Sequence, residues 1–174
     1  MTSADTDRNN DRLLRAAAEG NVAEVRRLIP LSNPLDRDSA ALGAAAQNGH
    51  AECVTLLLPV SDPTKRDNQP LRWAAGEGHA ECVTLLLEGA SRKAIRIAFQ
   101  TAVLWGHMEC VELMYGLCNT QKALYTLQSV SQQNPENGLY IRAVERLQQV
   151  MAEKQKEVLL SAVDCGGVTK HRKL

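Results

Sequence analysis

The ten-residue string GHAECVTLLL occurs twice, at residues 49–58 and again at 78–87. Weaker copies begin at Gly20 (GNVAEVRRLI) and Gly106 (GHMECVELMY), so the anchoring glycines Gly20, Gly49, Gly78 and Gly106 lie 29, 29 and 28 residues apart. A period in this range marks stacked supersecondary units, each too small to bury its apolar face without neighbours. It excludes a globule folded around a single centre. The loops share the period: Ser32-Asn33-Pro34-Leu35-Asp36-Arg37-Asp38 returns 29 residues later as Ser61-Asp62-Pro63-Thr64-Lys65-Arg66-Asp67. Asn-Pro and Asp-Pro start turns, because proline presets φ and the short polar side chain bonds nearby backbone.

Within each unit the apolar spacing is helical. Residues 40–47 are alanine-rich and predict a first helix, Asn48-Gly49 turns the chain, and residues 51–58 predict a leucine-rich second helix. Gly49 suits the positive-φ residue that often closes a helix. In the second helix Cys53, Val54, Leu57 and Leu58 form one buried face. The fourth unit lacks the Asp-Pro turn, and its first helix is expected to begin near Ser91. Upstream, residues 1–10 are polar and aperiodic and read as a disordered tail, with Asp11 as the first cap. Downstream, residues 122–132 keep a helical period. Asn134-Pro135 then signals a long helix from Pro135 to about Val163, with Val158 and Leu159 on its apolar stripe. Residues 166–174 read as a loose basic tail carrying Lys170, His171, Arg172 and Lys173, most simply solvated.

The formal charge of +0 argues against a general binder of nucleic acid. No run of 18 apolar residues is present and the first residues lack a signal-peptide pattern, so no membrane partner and a cytoplasmic location are expected. Cys53, Cys82 and Cys110 are one position repeated and read as small buried hydrophobes; an odd total of five also argues against a disulfide framework.

Residues Pro70-Leu71-Arg72-Trp73-Ala74-Ala75-Gly76-Glu77-Gly78-His79 resemble the T-P-L-H-x-A-A-x-x-G-H signature of the ankyrin-repeat family. The resemblance covers about residues 11–116. The family unit is ~33 residues, and the shortening here falls where the family builds a β-hairpin, so blunt turns are expected. Short units of this kind are similar to arrays found in intracellular bacteria and large viruses. The implied fold is all-α: a solenoid of four helix-turn-helix units (about 11–36, 37–65, 66–90 and 91–118) with a helical cap at 119–165.

Three H-x-x-C pairs, His50-Cys53, His79-Cys82 and His107-Cys110, could place N and S ligands on one helical turn. Zinc needs four converging ligands, and successive units stand roughly 10 Å apart, so neighbouring pairs cannot share an ion. No metal and no cofactor are expected. There is no nucleophile elbow, phosphate loop or HExxH motif, and no enzymatic activity is expected. The resemblance implies a concave groove and projecting loops that bind another protein. In the groove slot before each turn glycine stand Glu19, Asn48, Glu77 and Trp105, and the lone aromatic Trp105 is the candidate anchor. Packing under the C-terminal helices is its alternative. Arg37, Asp38, Arg66, Asp67 and Asn68 form the candidate loop ridge, whereas Trp73 reads as core.

The function expected is a monomeric, non-enzymatic protein-interaction module. The short unit extends this to an effector acting on a host protein. The alternative is a structural or regulatory subunit that assembles through the long C-terminal helix.

Overall fold

The computed structural model describes residues 3–133 and 135–166. All regular structure among them is helical: α1 (Ser3–Ala18), α2 (Val22–Leu28), α3 (Asp36–Gln47), α4 (Ala51–Leu57), α5 (Lys65–Glu77), α6 (Ala80–Leu87), α7 (Arg92–Trp105), α8 (Met108–Met114), α9 (Thr120–Gln133) and α10 (Gly138–Gly166). The chain divides into two compact units, 1–123 and 124–174.

The first unit is the solenoid. Inner helices α1, α3, α5 and α7 pack in file, outer helices α2, α4, α6 and α8 form a second row, and each inner helix packs on its own outer partner. Between the rows lie Leu13, Ala17, Val25, Leu28, Leu42, Ala46, Val54, Leu57, Leu71, Ala75, Val83, Leu86, Phe99, Val103, Val111 and Met114, all buried. Alanines on the inner helices let the backbones approach; leucines and valines on the outer helices fill the remaining space. Outer helices α2 and α4 close with 3-10 turns at Ile29–Leu31 and Leu58–Val60, each holding a proline at its start. The linkers contain no strand among the described residues, as the missing hairpin length implies.

Inner helices α3 and α5 begin with left-handed backbone. Arg37 (φ 49°) and Ser39 (φ 64°) adopt it in α3, and Arg66, Asp67 and Asn68 (φ 51°, 57° and 56°) adopt it in α5. Such a conformation costs a non-glycine residue about 1–2 kcal/mol, and buried polar side chains hold it. Ser39 Oγ accepts the Asp62 amide at 2.9 Å, and Asn68 Nδ2 donates to the Pro63 carbonyl at 3.4 Å. One unit earlier, Asn10 Oδ1 accepts the Asn33 amide at 2.7 Å. Asn10, Ser39 and Asn68 are buried and 29 residues apart, one polar group in each of the first three units.

That ladder corrects the reading of residues 1–10 as a disordered tail with Asp11 as a cap. The helix already runs from Ser3, and Asp11 lies inside it. Asn9 and Asn10 are polar because they bond the next loop, Asn9 Nδ2 donating to the Leu31 carbonyl at 3.1 Å. The α7 start agrees with expectation, since Ser91 Oγ caps it by accepting the Ala94 amide at 3.1 Å.

In the second unit the long helix starts at Gly138, three residues after Pro135, and reaches Gly166. Ala143, Leu147 and Val150 are buried at helical spacing. Val158 and Leu159, expected on the same stripe, are instead 66% and 61% exposed. The apolar period ends before the charged stretch 153–157, and Val158, Leu159 and Leu160 beyond it are exposed. Asn134 and the basic tail from 167 lie outside the described residues.

Candidate functional site

Each inner helix turns one face to the outer row and leaves the other open. On α3, Leu42, Ala45 and Ala46 face inward, while Ala40, Gly43, Ala44 and Gln47 line a cavity of about 230 Å³. Leu14 of α1 and Gln69, Pro70 and Trp73 of α5 complete its walls, with Arg37, Lys65 and Arg66 at the loop end. Trp73 has room because residue 43 is glycine; a β-carbon there would stand 3.0 Å from the indole ring. A second hollow, of about 430 Å³, runs between α5 and α7 and is lined by Arg72, Trp73, Gly76, Glu77, Thr101, Trp105 and His107. Trp73 belongs to both, so the two hollows adjoin at its ring and form one track over the inner helices, apolar at the tryptophans and edged by Arg72, Glu77 and Thr101.

Trp105 is 59% exposed on this track. Glu77, exposed, lies in the same hollow, and Asn48 is exposed with its Nδ2 donating to the Ala44 carbonyl at 2.8 Å. Trp73, expected in the core, is only partly buried and faces the open side. Sequence periodicity offered little warning, because its equivalents one unit away are small residues of the same face.

The loop residues divide. Arg37 pairs with Asp11 at 2.8 Å and Asp67 with Lys93 at 3.3 Å, so these charges link neighbouring units, while Arg37 also meets Asp36 of its own helix at 3.5 Å. Arg66 is exposed on the rim of the smaller cavity. Asn68 is the exception to the expected ridge. At 5% exposure it is turned into the loop and offers no surface, for the structural reason given above. The side chain of Asp38 lies outside the described residues.

The histidine–cysteine ladder is an assembly device. His50 Nε2 meets the Ala18 carbonyl at 3.0 Å, His79 Nε2 that of Gln47 at 3.0 Å, and His107 Nε2 that of Gly76 at 2.9 Å. Each ring lies over the turn glycine of the preceding unit; a β-carbon on Gly20 or Gly49 would come within 2.5 Å of the imidazole. At the equivalent position in the first unit, Asn21 caps its own helix, accepting the Glu24 amide at 3.0 Å. The cysteines three residues on are buried in the outer row, and burial pushes the thiols of Cys82 and Cys110 from an ordinary 9.0 up to about 11, nearby Glu81 and Glu109 adding to the effect.

The sign of the pH dependence follows. A thiol whose folded pKa is raised contributes stability that is complete below the unfolded value and lost as pH rises through the folded one. Stability is therefore expected to fall between about pH 9 and 11. Alkylation at neutral pH, mapped by mass spectrometry, should leave Cys53, Cys82 and Cys110 unmodified and label the partly exposed Cys118. Rapid labelling of the three buried thiols in the folded chain would contradict this packing.

The family model described as ankyrin repeats (3 copies) matches residues 13–97 and again 42–126. The chain belongs to the ankyrin-repeat family. No curated protein matches it. Ankyrin repeats are generic protein–protein interaction modules, and the open track described above lies on the inner helices of this ankyrin array, with His107 of the following turn at its edge. No helix among the described residues is long and apolar enough to cross a membrane.

Proposed function

We propose that the array is a non-enzymatic module that grips a segment of a partner protein along the inner-helix track, with Trp73 and Trp105 as anchors. The observation that carries this reading is the exposure of Trp105 beside Trp73, two large aromatics lining one hollow on the open face. Tryptophan supplies a broad apolar surface and one donor, and truncating such an anchor typically costs 2 kcal/mol or more of binding. The binding hollows are walled by rigid helices, which hold the anchors in place before the partner arrives.

The sequence contains only two tryptophans, and both lie on the track. Partner binding should therefore blue-shift and sharpen the whole intrinsic tryptophan emission. Replacing Trp73→Ala and Trp105→Ala together should weaken capture by more than about thirtyfold, the cost of one anchor alone, with helix content unchanged by circular dichroism. Full-strength capture by the double variant would remove the track from consideration.

One observation favours a second reading, assembly through α10. Val158, Leu159 and Leu160 are 66%, 61% and 56% exposed in succession. Capture that disappears in Leu159→Glu and survives in the tryptophan variant would assign the interface to that helix.

A further inference from the structure

A third hollow, of different character, opens where α7 and α9 begin, within the unit that ends at residue 123. This cleft has a volume of about 630 Å³. Arg92, Lys93 and Arg96 line it from α7 and Lys122 from α9, and among the described residues no carboxylate lines it. The chain as a whole carries a formal charge of +0, so four cations in one cleft are a segregation of charge.

Among the described residues, little balances the three cations of α7. Lys93 meets Asp67 at 3.3 Å, but both side chains are more than half exposed, and such pairs exchange readily with solvent or ligand. Arg96 donates from Nη1 to the neutral amide of Gln100 at 3.3 Å. Arg92 makes no ion pair among the described residues. Arg92 and Lys93 also occupy the first turn of α7, where the helix dipole favours acidic side chains and none is present. The free fold would be more stable with a different residue choice, and an outside anion relieves the repulsion.

We propose that this cleft binds an acidic stretch of a partner polypeptide, a run of aspartates or glutamates laid between the starts of α7 and α9. A slender chain with carboxylates on both sides can meet cations from both walls, whereas a flat anionic bilayer would touch only the rim. Among the described residues no aromatic lines the cleft to stack a base. The protein-binding reading supplies only the class of occupant; the cleft shares no residue with the tryptophan track.

The test uses the full chain and fluorophore-labelled octaglutamate, followed by anisotropy, with a single-stranded RNA octamer and phosphatidylserine vesicles as parallel probes. Octaglutamate should bind saturably at low ionic strength and weaken several-fold by about 0.3 M salt. Arg92→Glu with Arg96→Glu should reduce its affinity at least tenfold, and the melting temperature should hold or rise by about 1–3 °C, because acids suit the first turn. Lys122→Gln, on a different helix, should weaken binding about threefold and covers the case in which the double reversal fails to fold. The Trp73→Ala, Trp105→Ala protein should bind octaglutamate normally, so failure of the track and failure of the cleft give different patterns. No saturable binding, binding indifferent to charge reversal, or tighter binding of RNA or vesicles would overturn the proposal.

Discussion

Gly49→Ala should lower the stability of the array by about 2–4 kcal/mol in urea melts, far more than a surface methyl normally costs. Two effects combine. Residue 49 has φ +76°, a left-handed conformation that penalises any β-carbon. That carbon would also lie 2.5 Å from the ring of His79, which must swing away and release its 3.0 Å bond to the Gln47 carbonyl. Gly89 and Gly116 separate the two contributions. Both have positive φ (+79° and +85°), yet nothing stands within 4 Å of a β-carbon at either. Gly89→Ala and Gly116→Ala should therefore show only the backbone cost, about 1–2 kcal/mol. Equal losses at Gly49 and Gly89 would show that the histidine contact contributes nothing to holding units together.

Phe99→Ala is expected to cost about 3–5 kcal/mol, the range for emptying a fully buried phenylalanine site. Phe99 is the single phenylalanine of the chain, has no exposed surface, and lies on α7, which packs on both α5 and α8. The other buried residues of α7 include Ala94, Ala98 and Ala102, whose short side chains have no reach to fill such a space. Because each unit touches only its neighbours, the damage should be local. Hydrogen exchange should show residues 92–114 opening well before residues 36–57, where the wild type shows a smaller difference. A uniform loss of protection along the array would mean that the units unfold as one block.

Much of the solenoid was legible in the sequence, because one period runs through helices, turn glycines and loops. The exact repeat of GHAECVTLLL places Gly49 and Gly78, and the structure gives both positive φ. What stayed hidden depends on contacts between units. His79 reads locally as a turn residue, but its partner is the carbonyl of Gln47, 32 positions away. Arg37 reads as a surface cation of its loop, yet Asp11, 26 positions back, receives it. The polarity of residues 3–10 reads as lack of structure, yet α1 runs through them. The correcting signal was present, since Asn10, Ser39 and Asn68 keep the same 29-residue step. Trp73 was assigned to the core from its place in the inner helix; only the packing against Gly43 shows it looking outward.

For the site, the sequence pointed to Trp105 through its polar counterparts, and the structure leaves that side chain open. The cationic cleft was not legible, because Arg92 and Lys122 come together only through the fold.

Every histidine bond in the array points the same way, from a unit back to the one before it. The file consequently has a head and a tail in the mechanical sense. Trimming units from the carboxyl side leaves each remaining imidazole with its carbonyl, whereas trimming from the amino side strands one: without Ala18, His50 would face water. Grafting such units into longer or shorter arrays is therefore not symmetrical, and a new leading unit needs a residue like Asn21, which serves its own helix and asks nothing of a predecessor.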